Sequence, residues 1–246
     1  YLEGDLSDNQ KRGLMTGFLT AILAPTIFTA GAFIHESETS WTNGEIHYHA
    51  DYEVLVQQDG ELQRTNLVNP QEFCKGTQHE STYMCKINDR TGAVSYHEHN
   101  DQRIHLEGVF KTREDASLAS FFETFDGEIT NRRLVYPTRD GVLNLTDSGD
   151  MSIKILVQKG DGEARHWCGI GSNVPRDDLC RSYGRLADSP EDYVVSANTQ
   201  NPADRTVLDN IFIVYDNATF EQAIEDMRRD SRYQGFGLEK SGEGYE

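Results

Sequence analysis

His47-Tyr48-His49-Ala50-Asp51-Tyr52-Glu53-Val54-Leu55-Val56-Gln57-Gln58-Asp59-Gly60 reads as a β-strand that enters a tight turn. Residues 49–56 are rich in β-formers, and Asp-Gly is a hairpin signal. In a strand, residues i and i+2 point to one face, so His47 and His49 stand side by side. The same spacing recurs in His97-Glu98-His99 and in Ile104-His105-Leu106-Glu107. If these strands are neighbours, His47, His49, His97, His99, His105 and Glu107 converge on one patch. Five of the chain's eight histidines are in this set.

Working outward, residues 66–92 read as an irregular polar loop, and residues 104–110 as a strand. Ser117 caps a helix whose Leu118, Phe121, Phe122 and Phe125 fall at i, i+3, i+4 and i+7, one apolar face. Strands follow at 133–137 and 141–145 with Asp140-Gly141 in the turn, and another at 151–157. The run Val54-Leu55-Val56-Gln57-Gln58-Asp59-Gly60 is echoed by Ile155-Leu156-Val157-Gln158-Lys159-Gly160-Asp161-Gly162. Either two hairpins share a turn chemistry or a short unit is duplicated. Residues 162–204, rich in Gly, Pro, Ser and Asp, read as a long loop. An apolar strand at 210–215 precedes a helix that opens on the capping box Thr219/Gln222 and turns Phe220, Ile224 and Met227 to the core. Glu221 at its start and Arg228-Arg229 at its end suit the helix macrodipole.

Upstream, residues 13–34 read GLMTGFLTAILAPTIFTAGAFI, without a charge. As a helix this run spans roughly 30 Å, the thickness of a bilayer's hydrocarbon core. Its threonines can bond back to helix carbonyls, and Pro25 predicts a kink. A signal peptide is the competing reading, but the apolar run is long and no clean small-x-small site follows it. The sequence opens on Tyr1 and not Met, so an upstream piece is expected. Lys11-Arg12 precede the run and His35-Glu36-Ser37-Glu38 follow it. The positive-inside rule therefore predicts a single-pass protein of the cell membrane, with residues 1–12 cytoplasmic and the C-terminal domain periplasmic or extracellular. Gly13, Gly17, Ala21 and Ala24 form a stripe of small residues along which another transmembrane helix can approach. The alternative is a lone lipid-embedded anchor whose small residues do nothing.

The chain of 246 residues carries a net charge of −18, from 41 acidic and 23 basic residues. A surface this acidic repels DNA and RNA and disfavours lying flat on an anionic leaflet. It suits solubility, or a basic partner. The four cysteines fall into two local pairs, Cys74/Cys85 and Cys168/Cys180, with ten and eleven residues between partners. Neither pair has a Cys-x-x-Cys spacing, and there is no haem-attachment motif. An oxidising compartment predicts two disulfides, each worth roughly 2–3 kcal/mol. Other connectivities, or four reduced structural cysteines, are the alternatives.

The predicted fold is α+β. A transmembrane helix (13–34) and a linker (35–45) lead to a mostly antiparallel β domain (46–232) with two short helices and disulfide-stapled loops. A flexible tail (233–246) ends the chain.

This order of features resembles a family of membrane-anchored extracytoplasmic proteins, of undefined activity, from environmental bacterial and archaeal genomes. The residues that carry the resemblance are His47-Tyr48-His49-Ala50-Asp51, His97-Glu98-His99, Ile104-His105-Leu106-Glu107-Gly108, Phe121-Phe122 and Asp209-Asn210-Ile211-Phe212-Ile213-Val214-Tyr215. It covers roughly residues 46–226. Glu107 stands where the pattern has a second histidine, and Gln58-Asp59-Gly60 replaces an Asn-Gly turn. The resemblance implies the architecture and the grouping of the histidines, and no activity.

Neutral imidazoles and a carboxylate suit Zn²⁺ first, and Cu²⁺ or Fe²⁺ after it. The competing reading is a half-buried sheet face whose histidines bond backbone or carboxylates such as Asp51 and Glu98. His79 and His166 stand alone. There is no Gly-x-Ser-x-Gly, no phosphate loop and no Cys/His nucleophile pattern. Asp147-Ser148-Gly149-Asp150 lacks the spacing and terminal Glu of a calcium loop, and the sequons at Asn144 and Asn217 matter only in a glycosylating host. Two function classes follow. The first is an accessory or structural subunit anchored in a larger membrane complex, respiratory or photosynthetic for example, that contacts integral membrane subunits through its helix. The second is an extracytoplasmic metal-binding protein or metal-dependent enzyme that uses the histidine patch.

Overall fold

The computed structural model describes residues 7–43, 46–65, 94–97, 102–138, 140–161, 164–174, 184–195 and 209–229. The expected loop at 66–92 and the expected tail from 233 lie outside the described residues.

Helix α1, Asp8–Thr39, contains the apolar run. It is long and apolar enough to cross a membrane, and none of its apolar window is buried among the described residues. The hydroxyls of Thr20, Thr26 and Thr29 donate to the carbonyls of Thr16, Ile22 and Pro25 at 2.8–2.9 Å, so these threonines add no unpaired polar group. The helix does not stop at Ile34. It continues through His35 to Thr39, whose hydroxyl donates to the His35 carbonyl, and this shortens the expected linker. Past its end, the Trp41 and Thr42 amides donate to the Lys111 and Phe110 carbonyls at 3.1 and 3.4 Å. The Phe110 amide returns to the Thr42 hydroxyl at 3.2 Å. These bonds tie the helix end directly to the domain.

The domain is α+β, with mostly antiparallel pairing. The strands are β1 (Ile46–Gln58), β2 (Glu61–Thr65), β3 (Val94–His97), β4 (Arg103–Gly108), β5 (Glu128–Ile129), β6 (Arg133–Thr138), β7 (Gly141–Thr146), β8 (Ser152–Asp161), β9 (Ala164–Ile170), β10 (Gly184–Ala187) and β11 (Asp209–Asp216). Among the described residues, two further α-helices are α2 (Leu118–Glu123) and α3 (Phe220–Arg229), and a single 3-10 turn, Glu114–Ala116, precedes α2. Among the described residues, eight strands form one sheet in the order β10-β9-β8-β11-β1-β4-β3, with β2 also on β1, and β5-β6-β7 form a second. The long β1 bonds β4 along its first half and β2 along its second. On its other side it runs parallel to β11. Asp59 and Gly60 both have positive φ, 51° and 84°, the conformation of a tight primed hairpin turn.

Two apolar cores cover the two faces of the large sheet. On one face, Tyr52, Val54, Ile104, Leu106, Ile211 and Ile213 pack with α2 and the small sheet. Ser117 caps α2 as expected, accepting from the Ser120 amide. On the other face, Leu55, Leu156, Trp167, Phe212 and Val214 meet Ala223, Ile224 and Met227 of α3. The capping box of α3 is present in both directions: the Thr219 amide donates to Gln222 at 2.9 Å, and the Gln222 amide to the Thr219 hydroxyl at 3.2 Å.

The reading of 162–204 as a loop is corrected. Strands β9 and β10 lie within it. Composition misleads here because Gly169, which looks like a loop residue, sits in β9 under the Phe220 ring. A Cβ at 169 would collide with that ring, so the strand needs a glycine where the backbone must lie close to α3. The echoed runs end alike: β1 and β8 each continue into an antiparallel hairpin, with β2 and β9.

Candidate functional site

Side chains alternate along β1. Ala50, Tyr52 and Val54 belong to the aromatic core, while His49, Asp51 and Glu53 take the opposite face and are buried all the same. Register extends this polar face sideways. His49 is opposite His105, and His105 is opposite His97, so positions on β1, β4 and β3 form one row. The adjacent row aligns His47, Glu107 and Ser95. His47, His97 and Glu107 are placed by backbone register alone, and His99 lies outside the described residues. The His49 and His105 rings meet edge to face, with centroids 4.5 Å apart and planes at 79°. Two of the expected residues are thus in contact, and three more share their rows.

The next rung carries polar groups that the sequence reading did not single out as a unit. Asp51 is fully buried and accepts two hydrogen bonds from Arg103, Nε at 2.9 Å and the second guanidinium nitrogen at 3.3 Å. This is the bidentate geometry that a buried ion pair needs to offset desolvation. Alongside, Asn210 Nδ2 donates to Gln158 Oε1 at 2.9 Å. Asp51, Asn210 and Gln158 are register partners on β1, β11 and β8. Arg103 lies two residues before His105 and Asp51 two after His49, so the i+2 rule already placed them on the histidine face.

A second polar node is on the aromatic face, where β11 begins. The Tyr193 hydroxyl donates to Asp209 Oδ2 at 2.5 Å, and Lys159 Nζ lies 3.2 Å from the same oxygen. Lys159 is cross-strand from His166. Burial pushes the Asp209 carboxyl up from its ordinary value of 3.8, against the Lys159 charge and the hydrogen bonds from Tyr193 and Lys159, which pull it down. A carboxyl raised on folding favours the folded state most while protonated. Its contribution is full below the ordinary value and is lost as pH rises through the raised one. Asn mimics the protonated group, so the stability of the wild type minus that of Asp209→Asn should fall as pH climbs from about 4 towards neutrality. Urea unfolding across that range checks it, and a flat difference would contradict the assignment. A hollow of about 530 Å³ beside α3, bordered by Glu221, Glu225, Asp226 and Arg229, shares no residue with the histidine rows.

No protein-family model, curated protein or solved structure matches this chain. Among the described residues, no group of three or more His, Cys, Asp or Glu side chains forms a metal-binding cluster. Of the cysteines, Cys168 is buried on β9, and Cys74, Cys85 and Cys180 lie outside the described residues. Along α1, a Cβ added at Gly13 or Gly17 would meet nothing within 4 Å, so among the described residues the small-residue stripe with Ala21 and Ala24 carries no neighbour near its glycines.

Proposed function

We propose that this chain is a single-pass, membrane-anchored accessory subunit of a larger membrane complex, with its globular domain on the extracytoplasmic face. The observation that carries the reading is α1. The domain closes its two cores without it, while large side chains such as Leu14, Phe18, Ile27 and Phe28 remain 62–78% exposed. An apolar helix of this length left uncovered in water would be an aggregation liability, and lipid or a neighbouring helix removes it. The test begins with orientation. Protease added to intact spheroplasts should release the domain that follows residue 34. An unreduced digest of the released domain should contain the linked peptides Cys74–Cys85 and Cys168–Cys180. A protected domain sinks the orientation, and four alkylatable thiols sink the disulfides. The subunit reading itself is tested by Gly17→Leu, which should reduce co-purification with the partner by closing the small-residue stripe. A chain that purifies alone and is indifferent to Gly17→Leu is an isolated anchor.

A second reading is favoured by the strand register. The rows His97–His105–His49 and Glu107–His47 bring imidazole and carboxylate positions onto adjacent strands, roughly 4.8 Å apart. That spacing suits a divalent metal, Zn²⁺ first, with Cu²⁺ or Fe²⁺ as alternatives. Ligation needs neutral imidazoles, so affinity should fall on acidification. Purified protein reloaded with Zn²⁺ should hold about one equivalent, and the His49→Ala/His105→Ala variant should lose most of it. Less than about a tenth of an equivalent in the wild type would reduce the patch to a hydrogen-bonded polar face.

A further inference from the structure

Residues 188–195, which follow β10, form a strap over the aromatic face of the large sheet. Contacts along its whole length fasten it to other elements. Asn131 Nδ2, in the turn between β5 and β6, donates to the Asp188 carbonyl at 2.7 Å. The Ala119 and Leu118 amides of α2 donate to the Pro190 and Tyr193 carbonyls at 3.3 and 2.9 Å, and Ser117 forms an antiparallel bridge with Val194. The first amides of a helix have no partner within it. Those of α2 are met by the strap and, at Ser120, by the Ser117 hydroxyl. Tyr193, Val194 and Val195 of the strap are buried in the aromatic core.

One further fastening is ionisable. The Tyr193 hydroxyl donates to Asp209 Oδ2, and Asp209 is 2% exposed where β11 begins. Among the described residues, the titratable or charged groups that face this carboxyl are Tyr193 on the strap, Lys159 on β8 and, across from Lys159, His166 on β9. Its register neighbour on β1 is Ala50, which is apolar. Glu191 and Asp192 of the strap are exposed. Burial penalises the charged carboxylate by more than Lys159 and Tyr193 favour it, and holds the carboxyl above its ordinary value. Lifting the strap takes the Tyr193 ring away and admits water, so ionised Asp209 is better solvated with the strap open. A proton on Asp209 therefore favours closure, and its loss favours opening.

We propose that the strap is an acid-closed latch: protonated Asp209 holds residues 188–195 down on α2 and the aromatic core, and ionised Asp209 releases them. Opening exchanges the strap carbonyls at Leu118 and Ala119 for water and uncovers an apolar patch beside the small sheet. The large sheet is paired through its own ladders and stays closed.

Hydrogen–deuterium exchange of the full chain in detergent micelles, read by mass spectrometry and corrected for the intrinsic rate at each pH, tests this. Between about pH 4 and about pH 7, protection of the peptide that contains Leu118 and Ala119 should fall at least about fivefold, as for a carboxyl whose pKa drops on opening. The peptide from β11 should keep its protection. Asp209→Asn keeps an oxygen for the Tyr193 hydroxyl but gains no charge, so it should abolish the fall, and His166→Gln should not. Tyr193→Phe keeps the ring and cuts the latch, so it should lower protection at Leu118 and Ala119 even at about pH 4. Protection there that is independent of pH, or indifferent to Tyr193→Phe, overturns the inference. So does a fall that β11 shares equally, one that survives Asp209→Asn, or one that vanishes in His166→Gln.

Discussion

Replacing Phe121 with alanine is expected to cost the domain about 3–5 kcal/mol. Phe121 is fully buried. Its ring meets those of Tyr52 at 5.4 Å, Phe125 at 5.2 Å and Phe122 at 5.8 Å. Phe122 and Phe125 in turn pack on Tyr136, each at 6.0 Å. The cavity left by the ring would be lined by Tyr52 of β1 and by Phe122 and Phe125, which in turn lean on Tyr136 of the small sheet. The large and small sheets are held by separate backbone ladders and cannot close in together, so the full cavity term applies. The edge-to-face contacts are lost as well. Urea unfolding should show a lower midpoint with an unchanged slope. A loss below about 1 kcal/mol would mean that α2 does not pin the small sheet to the large one. Val142→Ala, at a residue 63% exposed on β7, is the control and should stay within about 0.5 kcal/mol.

Asp51→Ala is expected to be of similar size, about 3–5 kcal/mol, for a different reason. The Asp51 side chain is wholly buried and that of Arg103 is 13% exposed. Removing the carboxylate takes the two hydrogen bonds and the charge of Asp51 away from a guanidinium with little access to water. The ion pair need not be worth that much as a unit, because its desolvation offsets most of its Coulomb energy. The double replacement Asp51→Leu/Arg103→Met should therefore recover a large part of the loss. A double replacement as unstable as the single one would show that the pair contributes specifically to the register of β1 and β4. Because Asp51 neighbours the histidine row, Zn²⁺ uptake by the double variant, measured alongside, separates a folding role from an influence on the site.

Much of the chain was legible locally. The apolar run of α1, the Asp59-Gly60 hairpin, the i, i+3, i+4, i+7 face of α2 and the capping box of α3 each depend on residues within a few positions of one another. Local periodicity also assigned His47, His49, His105 and Glu107 to strand faces. It could not say that the polar face would be buried, or that Arg103 would be the partner of Asp51.

What only the tertiary structure decided is the pairing between distant strands. Nothing near His49 encodes that β1 lies between β4 and β11, parallel to one and antiparallel to the other. That arrangement follows from the burial of Leu55, Phe212 and Leu156 under α3 and of Tyr52, Ile104 and Ile211 against α2. Strand β9 was missed for the same reason, since Gly169 is explained only by a ring from residue 220. By itself the sequence determined the helices, the turns and the alternation of faces, because these are set by backbone sterics and short-range hydrogen bonds. Strand order and register, and with them the rows in which the histidines stand, are set by which faces exclude water together, and that is a property of the folded chain.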